Sequence, residues 1–149
     1  MTIQRLYDRV QKLDTDQVIQ DAIEETKDHI ADLQAEQMHK GQESTGDMIN
    51  PPYRFSTVAI KRKKGQPSDR VTLQDTGAFY KGLYVNVTSD SVRIDSTDSK
   101  TTKLVEKYGP DIFGLSVIFK REYLNESLRP LLASKIRQIT GLKLGRDGL

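Results

Sequence analysis

Few residues of this chain belong to types that carry covalent or metal chemistry, and their spacing limits what they can do together. There are two histidines, His29 and His39, and no cysteine. Thiol nucleophiles, disulfide staples and Cys-ligated zinc are therefore excluded, which suits a reducing cytosol or a particle assembled there. On one helix the two imidazoles would stand about 15 Å apart along the axis, on faces about 80° apart, too far to share an ion. Neither lies in a His-Glu-x-x-His arrangement, so each reads as a solvated structural side chain. Gly41-Gln42-Glu43-Ser44-Thr45-Gly46 has the glycine spacing that opens a phosphate loop, but Asp47 and Met48 stand where lysine and serine or threonine are required. An acid there repels phosphate, and the stretch reads as a turn. Ser44, Ser56, Ser68 and Ser116 have no histidine or lysine pattern that would activate a hydroxyl. The expectation is a protein that is not an enzyme and uses no metal or cofactor. An enzyme built from scattered acids, lysines and serines would need a deep pocket holding strongly perturbed acids.

The concentrated charge feature is Lys61-Arg62-Lys63-Lys64. With the Gly-, Pro- and Ser-containing residues 65–70 behind it, the run reads as an exposed, mobile connection. It could make sequence-independent contacts with DNA phosphates, or pair with an acidic helix face such as Glu24, Glu25 and Asp28 of a neighbouring subunit. The nearest aromatics are Tyr53 and Phe55, so no platform for stacked bases is evident. With 23 Lys+Arg against 21 Asp+Glu the formal charge is +2, too balanced for a dedicated nucleic-acid binder. The start of the chain lacks an apolar signal core and no run of about 18 apolar residues occurs, so neither secretion nor membrane contact is expected. Without a secretory signal the triplets at Asn86 and Asn125 carry no glycosylation meaning.

A length of 149 residues, 36% hydrophobic and 30% charged, fits one soluble domain with one core. Residues 1–40 form a helical arm. Ile3, Leu6, Tyr7, Val10 and Leu13 recur at helical spacing, and Asp14 followed by Gln17 marks a capping-box-like restart. The second helix carries Ile19, Ile23, Ile30 and Leu33 over about 26 residues, roughly 39 Å, and stops at Lys40-Gly41. Its other face, Glu24, Glu25, Asp28, Asp32 and Glu36, reads as solvated. Residues 41–72 are loop-rich, with a short helix at 57–64 capped by Ser56. In 73–140, Asp75 or Thr76 caps a short helix that buries Phe79 and Tyr80, residues 82–95 form an antiparallel hairpin, and Leu104, Val105 and Tyr108 make a brief helix stopped at Gly109-Pro110. Residues 112–116 form an apolar loop. The final helix runs over 119–139 with Leu124, Leu128, Leu131, Leu132, Ile136 and Ile139 on one stripe. Pro130 disfavours helical geometry at Arg129, so a kink or two abutting helices is expected. Residues 141–149 read as a tail. The fold class is α+β, a long N-terminal helical region and a C-terminal helix packed on a small antiparallel sheet.

One stretch carries a resemblance. Leu73-Gln74-Asp75-Thr76-Gly77-Ala78-Phe79-Tyr80-Lys81-Gly82-Leu83, followed by a strand pair, resembles the threonine-glycine signature of the tail-completion and head-to-tail joining proteins of tailed bacteriophages. Gly41 with Gly46 after a long helix, Tyr53 and Lys61 before the signature, Lys107-Tyr108-Gly109 after the hairpin and Pro130-Leu131-Leu132 in a late helix follow in the order such proteins show. The resemblance spans about residues 30–139. It differs in having Ile112-Phe113-Gly114-Leu115-Ser116 where family members often carry an aromatic-proline-rich segment. It implies a structural virion protein, assembled in the host cytoplasm, that forms a ring in the neck or upper tail. There it would join the capsid neck to the tail around the DNA channel. The implied partners are further copies of itself, neighbouring connector, tail terminator or tube proteins, and non-specifically the packaged DNA. Leu73, Thr76, Gly77, Phe79, Leu83, Tyr108 and Gly109 become candidates for assembly or packing, with Gly77 placed where a side chain would collide. Lys61, Arg62, Lys63 and Lys64 become candidates for DNA or subunit contact. The alternative from another class is a small nucleic-acid-binding module using the same basic run.

Overall fold

The computed structural model describes residues 2–142. Helices α1 (Ile3–Gln11) and α2 (Thr15–His39) are separated where the capping residues fall. Thr2 Oγ1 accepts from the Arg5 N–H at 3.3 Å, and Asp14 Oδ1 from the Gln17 N–H at 3.0 Å. The capping box is half made, because the Gln17 amide reaches forward to Asp21 at 2.8 Å rather than back. α2 has 25 residues and ends in paired bonds, Gly41 N–H to Met38 C=O at 2.8 Å and Gln42 N–H to Gln37 C=O at 3.1 Å. Its acidic face is exposed at Glu24, Glu25, Asp28, Asp32 and Glu36.

Strands β1 (Leu83–Val87) and β2 (Val92–Ser96) pair antiparallel, Leu83 opposite Ser96 and Val87 opposite Val92, one residue along from the expected hairpin. Two strands do not make a stable sheet alone, and β1 lies against α2. The fold is α+β as expected, and its apolar interior falls into two clusters. The first joins Ala22, Ile30 and Leu33 of α2 to Val85 of β1 and to Leu115, Phe119, Tyr123 and Leu128. The second gathers Met38, Ile49, Val71, Leu73, Phe79 and Ile112.

Two fully buried glutamines of α2 tie residues 112–116 to the second cluster. Gln34 donates to the Ile112 C=O at 3.1 Å and accepts from the Gly114 N–H at 2.8 Å; Gln37 donates to the Gly114 C=O at 2.8 Å and accepts from the Ser116 N–H at 2.7 Å. One edge of an extended segment is thus read by side chains three residues apart on a helix, in place of a neighbouring strand.

Three local features differ from the sequence reading. Helix α3 (Phe55–Lys63) starts at 55 rather than 57, because the extended backbone ends at Arg54, and Ser56 caps nothing. The basic run is the last turn of that helix, where cations suit the carbonyl end, and not a mobile loop. Residues 65–70 are tied down as well: the Gln66 amide donates to the Asp75 C=O at 2.8 Å and Arg70 Nε to the His39 C=O at 2.8 Å.

At the C-terminal end, α6 (Val117–Tyr123) passes through a π-helical turn, Leu124–Leu128, into α7 (Arg129–Thr140). Arg129 is helical, at φ −60° and ψ −46°, and its N–H donates to the Leu124 C=O. The wider turn absorbs Pro130, which stands in the first turn of α7 where a missing donor costs little. Helix α5 (Thr101–Tyr108) and the 3₁₀ turn Pro110–Ile112 lie between hairpin and α6. Gly141 ends α7, and of the expected tail, residues 143–149 lie outside the described residues.

Candidate assembly surface

Residues 71–74 cross the second cluster with no strand beside them, and side chains replace the missing ladder. Thr72 is fully buried; its N–H donates to the Tyr53 hydroxyl at 3.0 Å, and its C=O accepts from the Tyr80 hydroxyl. Burial, with Tyr53 nearby, pushes the Tyr80 phenol well above the usual tyrosine range. The next residue, Leu73, is buried at φ +58°, a left-handed conformation that a leucine adopts only when its surroundings enforce it.

The turn that follows corrects two expectations. Asp75 caps no helix, because its carboxylate is taken by Lys64 at 2.5 Å and Lys100 at 3.1 Å. The Lys64 hydrogen bond first, and then that of Lys100, lower its pKa to about 2. Thr76 Oγ1 accepts from the Ala78 N–H at 3.3 Å, and α4 (Ala78–Lys81) is a single turn entered through Gly77. A Cβ on Gly77 would meet nothing within 4 Å, so the expected collision is absent; glycine is required there by φ +88°. The collision lies at Gly82, where a Cβ would stand 2.7 Å from Ser96 Oγ and 3.0 Å from the Asp98 N. Ser96 cannot retreat without losing its 2.9 Å bond to the Phe79 C=O.

The structure brings most of the candidates together. Leu73 and Phe79 form the second cluster, with Leu83, Tyr108 and Tyr53 packed against it. Thr76, Lys61 and Tyr108 border a small open cleft of ≈ 130 Å³ above it. Gly109 ends α5 at φ +91°, its N–H donating to the Val105 C=O at 2.8 Å. These residues are packing elements. Lys61 is not available to DNA or a neighbour. It is buried, with its ammonium donating to the Gln74 C=O and, at 3.1 Å, to Gln66 Oε1, 5.5 Å from the centre of the Tyr53 ring. Lys64 is engaged by Asp75. Arg62 and Lys63 are exposed, with no partner among the described residues, as is Arg54. Phe55 stands 95% exposed between these cations, and Arg54, Phe55, Val58, Ala59 and Arg62 line one shallow face of α3.

His39 is exposed as expected, whereas His29 is half-buried. Its Nδ1 lies 2.5 Å from Ser127 Oγ, its Nε2 3.8 Å from Glu126 Oε2, and its ring 6.1 Å from that of Tyr123. The sequence reading passed over Ser127, which the π-helical turn carries to α2. The exposed Glu126 is too distant to orient the imidazole as a catalytic carboxylate does. Among the described residues no three His, Asp or Glu converge to hold a metal ion, and no helix is long and apolar enough to cross a membrane. Comparison with protein-family models, with curated proteins and with solved structures finds no match.

Proposed function

We propose that the chain is a structural subunit of a tailed phage that forms a ring in the head-tail connector or upper tail, joining capsid neck to tail around the DNA channel. What supports the reading is a spatial convergence. Tyr53, Lys61, the 73–83 stretch and Tyr108 resemble the joining proteins by their order along the chain, and they meet around one cluster and one cleft. In this role the chain works through contact surfaces, and its partners are further copies and the adjoining connector, terminator or tube proteins. The outward cations Arg54, Arg62 and Lys63 either face the DNA path or meet the acidic α2 face of a neighbour. Reversing Arg62 and Lys63 to glutamate separates the two, because reversal of Glu24 and Asp28 to lysine restores assembly only in the second case.

Interrupting the gene in its phage tests the reading. Filled heads and separate tails should accumulate without joining; normal joined, infectious particles lacking the chain would overturn it. A second reading, a small nucleic-acid-binding module, is favoured by Phe55, an exposed ring between cations and so a stacking platform. It requires a monomer that retains single-stranded DNA at low salt and loses it steeply as salt rises.

A further inference from the structure

Two surface features on different elements complement each other. The first is α1, in which no residue is buried. Its apolar stripe has two edges. Leu6, and Leu13 just past its end, are half-buried, and the helix rests on α7 of its own chain. Ile3, Tyr7 and Val10, spread over an arc of about 60°, are 87%, 55% and 44% exposed. The second feature is an open groove of ≈ 670 Å³ between β2 and the C-terminal helix, with Ile23, Ile94, Val105, Phe113 and Leu124 in its walls. At Ile23 and Val92 it runs on into a shallower depression that ends at Asp16, Ile19 and Asp90, beside the hairpin tip. The first cluster is therefore uncovered on one side, and it lacks one amphipathic helix.

We propose that Ile3, Tyr7 and Val10 of one copy seat in the groove of the next copy. The helix keeps Leu6 and Leu13 on its own subunit, so nothing has to unfold for one stripe to bridge two subunits. Charge selects the same occupant. Arg5, Arg9 and Lys12 outnumber Asp8 on the helix and its cap, while Asp16, Asp90 and Asp95 outnumber Arg93 and Lys120 around the groove. The cations stand on the back and flank of the helix, so they steer the approach while the apolar edge supplies affinity. Donor and acceptor patches differ, so the contact is heterologous and repeats from copy to copy into a closed ring or a filament. The inference deepens the ring reading by naming its contact, and rests on that reading only for ring closure.

The absence of cysteine makes the test direct. Val10→Cys is mixed, at about 100 µM and under mild oxidation, with each of Val92→Cys, Ile94→Cys and Val105→Cys, and with Ser99→Cys as the control. Disulfides between two singly substituted chains are intermolecular, and at least one groove position should give a covalent heterodimer several-fold above the control. A second arm measures mass by sedimentation for the native chain and for a variant with Ile3, Tyr7 and Val10 all changed to Asp. The native chain should self-associate, and the variant should do so at least 100-fold more weakly with an unchanged circular dichroism spectrum. Cross-links no higher than the control overturn the proposal, as does a doubly substituted Val10→Cys/Val92→Cys chain that closes only on itself at monomer mass. Association that survives in the triple variant overturns this contact and leaves the ring reading standing. Gene interruption decides that reading separately.

Discussion

The two apolar clusters are built on opposite principles. The first is made from α2, the hairpin and the C-terminal helix, elements whose backbones satisfy their own hydrogen bonds, and it stays open along the groove. The second is made largely from irregular chain, and side chains close almost every backbone group that faces it: Tyr53 and Tyr80 at Thr72, Gln34 and Gln37 at residues 112–116. Regular elements can leave a core half covered and ready for a partner. Irregular segments cannot, because an unpaired buried amide or carbonyl costs about 1–3 kcal/mol. α2 serves both, with Ala22, Ile30 and Leu33 in the open cluster and its last turns in the sealed one.

The contrast is broken most strongly from inside the sealed cluster. Phe79→Ala should cost about 3–5 kcal/mol in urea unfolding, whereas Leu131→Ala, at the half-covered edge of the first, should cost clearly less. Equal losses would mean that the clusters do not differ in closure. Gln37→Leu keeps the bulk but orphans the Gly114 carbonyl and the Ser116 amide, for an expected loss of about 2–4 kcal/mol and faster hydrogen exchange at Ser116. Unchanged exchange there would show that the glutamine does not hold the segment.

The glycines sharpen the comparison. Gly82→Ala must push against Ser96 and the Asp98 backbone and should cost about 1–3 kcal/mol, while Gly77→Ala has space and only the left-handed penalty of about 1–2 kcal/mol. A Gly77→Asn change, tolerant of that conformation, should recover part of the second loss but not serve at Gly82. The smallest effect belongs to Asp75. Its folded pKa of about 2 lies below the model value of 3.8, so its contribution is present above pH 4 and is lost as pH falls towards 2. The carboxylate is exposed and screened, so Asp75→Asn should cost less than about 1 kcal/mol, less still at high salt, and should flatten the acid limb of the stability curve.

Periodicity made α1, α2, the hairpin and the last helix legible, because each presents an apolar repeat at its own spacing. The sealed cluster was harder to read. Gln34 and Gln37 look like ordinary polar interruptions of a helical stripe, and nothing local marks them as partners of residues 112–116; two adjacent buried-phase glutamines beside Leu33 and Met38 were the available signal. Lys61 was misread because four consecutive cations suggest a solvated run, although helical phase turns one of them inward, where its stem covers Tyr53 and its ammonium finds a carbonyl. At Gly77 the need for glycine was legible and its reason was not, since a one-dimensional pattern does not separate handedness from crowding. Exposure of Phe55 and openness of the groove depend on what fails to pack nearby, which no local motif encodes.

The π-helical turn at Leu124–Leu128 spends one residue more than regular winding would over the same rise. Loss of a single codon there would restore that winding and rotate everything beyond it by about 100°, carrying the leucines of α7 away from α2 and parting Ser127 from His29. The last helix of the molecule is thus indexed by chain length. Conservative replacements along it should be absorbed far more readily than a one-residue deletion that leaves its apolar content untouched.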